Sequence, residues 1–518
     1  MRVKILGISA SLRNARRGPG SDELIADLQK VGDRKSDLFD YLKQEAKYHL
    51  ENFEKSGRLE QLQFDKIYKN LLKLKGNKGL SNSEVALAAA LWAAKQSGAE
   101  IDTLSLGEHF ETNGEESSMQ ELRTKLLDAD ATLISTPVYF GDRSSLSQSL
   151  IRFISQDEVL KAKLKGKVYG GIAVGAKRNG GQETTLIYQL WDLLNAGFLG
   201  VGNDSETTSQ YGGTGLAGDV GTMSDDHYGL ETAMGTGRRV TEIANLTRVS
   251  KSVRLKGKCK IAFWILQDQE GKALNFVKGL NESFNDQYEA IVIPINEKGI
   301  QRCIGCDICP THIDIDEKYR CIINSPKDDL SELHPLLLEA DAIIPVVYSG
   351  IDPKGSISNY QKFIERTRYL RRGDYALNNL LIAPLVCEEV GANQGMAMRM
   401  MTSMLRHHTV LVRPLTYYIH NGVGINRQPF YDQLSEFISL LENFTATKSE
   451  AYLSHKEHFK YKPIGYVLSV LKEGEDERLA RRSEMIDSRT AKNVSRAKER
   501  LEFLEKNTIP NRGLDDYS

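Results

Sequence analysis

Cysteine is scarce: there are six in 518 residues, and none precedes Cys259. That excludes a disulfide framework and makes a reducing cytoplasm the expected setting. A surplus of one charge is also lacking, since Lys+Arg is 68 against Asp+Glu 69, a formal net charge of −1. General nucleic-acid binders and polybasic membrane binders carry such a surplus, so neither nucleic acid nor a membrane is the expected partner. Long apolar runs are missing as well, and none approaches the roughly 18–20 residues that span a bilayer. The opening segment, Met1 to Gly7, turns polar too soon for a signal peptide and reads as a first strand. What is present, 40% hydrophobic and 26% charged residues, suits ordinary globular cores. At roughly 100–200 residues per domain, the length predicts two to four of them.

Strand and helix patterns alternate along the chain, which predicts an α/β fold of doubly wound parallel sheets. The first strand runs from Val3 to Ile8 and ends in Gly7-Ile-Ser9-Ala-Ser11-Leu-Arg13, a loop of small and hydroxyl residues. The helix expected next is delayed until Ser81-Asn82-Ser83-Glu84, whose ends have capping-box spacing. About sixty residues in a turn that normally takes 2–6 predict an inserted helical hairpin, residues 14–80. Three more strand–helix pairs follow, then a Gly-rich stretch from Gly197 to Gly221 and a closing helix near Leu230–Leu246. From about Arg254 the alternation begins again. The expected organisation is therefore a first unit over 1–250, a second of the same architecture over 255–445, and a helical extension over 446–518.

Ligands in such sheets bind beyond the carboxyl ends of the strands, near the switch in strand order. Three segments converge there. Ser9, Ser11 and Arg13, with Asn82 and Ser83 at a helix start, offer hydroxyls, amides and a cation to a phosphate. Thr136-Pro137-Val138-Tyr139-Phe140-Gly141 closes the third strand with free amides and an aromatic. Gly175-Ala176-Lys177 and Gly180-Gly181-Gln182-Glu183-Thr184-Thr185 follow the fourth strand, where glycines allow close approach to a ring edge. Each alone is an ordinary turn, but together at βα spacing they suit a flavin.

These segments, with Tyr211-Gly212-Gly213-Thr214-Gly215-Leu216-Ala217-Gly218, resemble the NADPH-dependent FMN reductases. They are most like the multimeric flavodoxins known as tryptophan-repressor-binding-protein-type NAD(P)H:quinone oxidoreductases. The resemblance covers about residues 1–13 and 80–246. It implies a flavodoxin-like domain, bound FMN, NAD(P)H as electron donor, a quinone-like or other small-molecule acceptor, and homo-oligomers. Carried over by position, Ser9, Ser11, Arg13, Asn82 and Ser83 hold the phosphate. Thr136, Pro137, Val138, Tyr139, Phe140 and Gly141, with Gly175, Ala176, Lys177, Gly180 and Gly181, meet the ring. No acid–base side chain is required, because the hydride chemistry belongs to the cofactor. Tyr139, Phe140 and Tyr211 are candidates to line the acceptor site. The other class of function open at this point is a flavin-binding redox sensor or interaction module with a cysteine switch.

The second half resembles the iron–sulfur flavoproteins more weakly, through Ala340–Gly350 and through Cys303-Ile-Gly-Cys306-Asp-Ile-Cys309 ahead of Cys321. Four such thiolates suit a [4Fe–4S] cluster, a tetrahedral zinc, or no metal at all. Its phosphate loop is missing. Gln267-Asp268-Gln269-Glu270-Gly271 places two carboxylates where a phosphate would sit, so this half is not expected to take FMN in the same way. Cys259 and Cys387 fall in or at the end of strands and read as apolar fillers.

Overall fold

A computed structural model describes residues 2–13, 19–73, 78–110, 116–204, 207, 209–248, 253–306, 309, 319, 321–372, 375–454 and 475–503. The first unit supplies β1 (Lys4–Ser9), β2 (Glu100–Ser105), β3 (Ala131–Pro137), β4 (Val168–Gly175), β5 (Leu199–Val201) and β6 (Gly213–Leu216). β1 lies between β2 and β3, β3 pairs with β4, and β4 pairs with both β5 and β6, all in parallel. The strand order 2-1-3-4-5 is the flavodoxin-like one, with its switch point between β1 and β3.

β7 (Val253–Leu255) pairs antiparallel with β17 (Leu501–Phe503) away from the main sheet. The second unit repeats the first with β8 (Cys259–Gln269), β9 (Tyr288–Ile293), β10 (Ala342–Ser349), β11 (Ser356–Ser358), β12 (Leu381–Ile382), β13 (Leu385–Glu389), β14 (Val410–Leu411), β15 (Leu415–His420) and β16 (Val423–Gly424). β8 sits between β9 and β10, and β10 pairs with β12 and β13. Its fourth and fifth strands are each interrupted near a proline, Pro384 and Pro414, because proline has no N–H for the ladder. β14 meets β5 antiparallel at Leu411 and Gly200, so the two sheets join edge to edge into one of 15 strands.

Two cores result, one on each face, and each continues through both units. The period of two along β8 shows how: Ile261, Phe263 and Ile265 enter one core while Ala262, Trp264 and Leu266 enter the other. The Ala-rich helix Asn82–Gln96 is buried on all sides from Ser83 to Ala94. It packs against the closing helix His227–Thr247, where a Cβ on Gly237 would come 2.1 Å from Ala90 O. Only glycine permits that approach.

Among its described residues the insertion forms three helices, Pro19–Lys30, Lys35–Lys55 and Phe64–Lys73, where a hairpin was expected. Leu38, Leu42 and Ala46 bury one face of its second helix. The third leaves Phe64 and Tyr68 exposed, although spacing predicts a packed face there. The Gly-rich stretch also hides β5 and β6, because glycine dilutes the apolar run that marks a strand. Helix Arg427–Ser454 runs unbroken through residue 445, where the third region was expected to begin. Among the described residues no helix is long and apolar enough to cross a membrane.

Candidate functional site

The first site segment leaves β1 as a tight loop. Ser11 N donates to Ser9 Oγ at 3.5 Å and Arg13 N to Ser11 Oγ at 3.2 Å, so successive amides face successive hydroxyls. Both serines are buried, while Arg13 is exposed. Its guanidinium lies 5.5 Å from the ring of Phe53, a residue of the insertion, and Arg58 lies 5.0 Å from that ring. Arg58 in turn bonds Asp219. The insertion thus roots beside this loop, as its points of attachment require.

Ser144 ties the first segment to the second. Its hydroxyl donates to Ala10 O at 2.7 Å, its amide donates to Thr136 Oγ1, and it caps helix Ser145–Gln156. Beyond Thr136 the chain reverses at Tyr139–Asp142, where each end residue's N–H donates to the other's carbonyl. Phe140 and Gly141 both have positive φ, 53° and 79°. An aromatic in that region is strained by roughly 1–3 kcal/mol, and here it stands fully exposed. Such strain gathers at sites of function.

The third segment packs against the second. Val138 N donates to Val174 O, and a Cβ on Gly181 (φ 102°) would lie 2.8 Å from Gly141 Cα. Gln182 Nε2 donates to Lys177 O and Gly215 O, which holds the loop to β6. Its Oε1 is buried with no hydrogen-bond donor among the described residues. Ala176, Lys177 and Gly180 are exposed beside it.

Of the expected phosphate ligands, Ser9, Ser11 and Arg13 come together. Asn82 is committed elsewhere: its Nδ2 donates to Asp219 O, and its Oδ1 accepts from Met223 N. Ser83 is buried and its carbonyl accepts from Ser135 Oγ. Sequence reasoning missed Ser144 and Phe53. Ser144 carries a helix-cap signal but none for its bond to Ala10, and nothing local pairs Phe53 with Arg13.

The second unit closes one side. A Cβ on Gly202 would lie 3.4 Å from Leu405 Cγ. Burial and the charge of Glu183 push the Tyr211 phenol upward, while Arg406 of the second unit draws it down. Tyr211 therefore stands between the third segment and the second unit.

The second unit's own equivalent place is filled. Asp268, buried at the end of β8, accepts from Ala273 N at 2.8 Å and Leu274 N at 3.1 Å. Its carboxylate caps helix Lys272–Ser283 where a phosphate would otherwise sit. β11 pairs with the last residues of β8 beside it.

Cys303, Cys306, Cys309 and Cys321 are all half-buried, and among the described residues no three His, Cys, Asp or Glu side chains group as metal ligands. Cys303 Sγ accepts from Arg368 at 3.9 Å. The loop is anchored by buried Arg366, which bonds Gln301 O and Ile323 O and pairs with both oxygens of Asp328. Cys259 and Cys387 are fully buried in strands, and burial pushes the Cys259 thiol up to about 12.

Residues 74–201 match the family model described as NADPH-dependent FMN reductase. An iron-sulfur flavoprotein of Methanocaldococcus jannaschii is 37% identical over 132 residues, 25% of this chain and 66% of that protein, just under two thirds. An iron-sulfur flavoprotein of Methanosarcina thermophila is 27% identical over 33% of this chain and 92% of its own length. An NAD(P)H dehydrogenase (quinone) of Acidovorax ebreus is 30% identical over 185 residues, 31% of this chain and 90% of that protein.

Proposed function

Because the chain belongs to the NADPH-dependent FMN reductase family, we propose that its first unit holds FMN and transfers electrons from NAD(P)H to a quinone-like acceptor. The observation that carries this is the meeting of the three segments at the ends of β1, β3 and β4, joined through Ser144 and the Gly141–Gly181 contact. When bound, FMN supplies hydride acceptance and onward two-electron transfer. The chain's tasks are binding, orientation and access. The Ser9–Arg13 loop offers hydroxyls, amides and a guanidinium to the phosphate, which suits a dianion. Tyr139 and Phe140, both exposed, give apolar surface for a flat acceptor, and Tyr211 bounds the side shared with the second unit.

With Asp268 capping its first helix, the second unit serves as a wall for the first and not as a second flavin site. The test is steady-state NAD(P)H oxidation by flavin-loaded protein with a benzoquinone as acceptor. Turnover is expected, and flavin-loaded protein that oxidises NAD(P)H no faster than free FMN would reject the reading.

A further inference from the structure

A cavity of about 850 Å³ opens at the amino ends of the second unit's strands, remote from the carboxyl ends that carry the flavin cleft. Lys260 and Asp341, at the starts of β8 and β10, form its floor. Lys448 on helix Arg427–Ser454 forms one wall, and Asn493 and Arg500 on helix Glu475–Arg500 close it. Its volume lies within the roughly 300–1,000 Å³ of pockets that take small organic ligands.

The charges inside do not cancel. Arg500 pairs with Asp341, and Lys260 pairs with Glu339 and, at 3.6 Å, with Glu289. Among the described residues Lys448 has no carboxylate at ion-pair distance. Its Nζ donates to Asn379 O at 3.1 Å and lies 5.7 Å from the Phe444 ring, which leaves two ammonium hydrogens to face the cavity. Burial pushes this lysine down to about 8, while the charge of Asp341, itself paired with Arg500, draws it part of the way back. Glu289, Glu339 and Glu499 also line the cavity, as do Lys256, Lys258 and Arg496.

We propose that this cavity binds a small organic anion whose single carboxylate or phosphate pairs with Lys448. Such a ligand would bridge the C-terminal helix to the second unit and stabilise their packing by mass action.

Pyridoxal 5′-phosphate is the probe, used on the full-length chain with its flavin. The Lys448 amine adds to the probe's aldehyde carbon, water leaves to give an imine, and borohydride reduces this to a stable secondary amine located by peptide mass mapping. At limiting reagent and neutral pH, Lys448 should be labelled on the order of tenfold faster than Lys278, which is exposed and outside the cavity, since far more of it is unprotonated. Inorganic phosphate that suppresses the label points to a phosphate head group, and citrate that does so instead points to a carboxylate. Lys448→Met should lose the label while retaining flavin. Lys448→Arg, which keeps the charge, should lose the label yet keep the thermal stabilisation given by the competing anion. Labelling no faster than at Lys278, or labelling that neither anion suppresses, would overturn the proposal.

Discussion

His49 shows how one residue of the insertion reports on the phosphate loop. It is buried on helix Lys35–Lys55, and burial first, then the charge of Arg13, lowers its pKa to about 4. Unfolded, the same imidazole takes a proton near 6.5. The unfolded chain therefore binds the extra proton between these values, and stability falls as pH drops from about 6.5 towards 4. The loss from this residue is at most about 3 kcal/mol. Denaturant unfolding of His49→Asn should show a shallower decline over that window than the parent protein, and identical slopes would reject the assignment. FMN loading should raise the His49 pKa, because a phosphate at Arg13 removes part of the repulsion. Imidazole proton shifts in the two forms would measure this. At this scale the sequence showed much of the site: Ser9, Ser11, Arg13, Gly141 and Gly181 are marked by their types and by position after strands. It did not show Phe53, Ser144 or the engagement of Asn82, because each depends on a partner from a distant part of the chain.

Among elements, the insertion departs furthest from what periodicity foretells. Its second helix buries Leu38, Leu42 and Ala46 against the first unit, so that face was legible. Its third helix has the same kind of stripe, yet Phe64 and Tyr68 stay exposed, since a pattern records amphipathicity and not what covers it. Strands β5 and β6 were hidden for the opposite reason: glycines at 200, 213 and 215 leave too little apolar surface to register, though β4 pairs with both. The insertion acts on the site through Phe53, whose ring lies within cation–π distance of both Arg13 and Arg58. Cation–π contacts of this kind contribute about 0.5–1 kcal/mol each at exposed sites. Phe53→Ala should therefore weaken FMN binding by roughly three- to tenfold, read by flavin fluorescence titration, with little change in thermal stability. Unchanged affinity would mean that the insertion only borders the loop.

Across the whole molecule, the repeated architecture was legible from the second run of alternating patterns, but the edge-to-edge joining was not. Short β14 and β5 carry no signal of their pairing at Leu411 and Gly200. The junction is fastened by Arg239, buried on the closing helix of the first unit, which bonds Asn379 Oδ1 and the carbonyl of His408 and pairs with Glu242. Removing one member of a buried charged network costs about 3–5 kcal/mol. Arg239→Met should lower stability by that order and separate the unfolding of the two halves into distinguishable transitions, seen by calorimetry. A single transition at unchanged temperature would contradict the role given to this residue.

The central claim is that the first unit alone binds flavin, through the loop after β1. Its most direct test is the flavin content of purified protein, counted per chain by absorbance after release, for the parent and for Ser11→Ala with Arg13→Ala together. The account predicts about one FMN per chain in the parent and close to none in the folded double variant. Two flavins per chain, or full retention in the double variant, would contradict it.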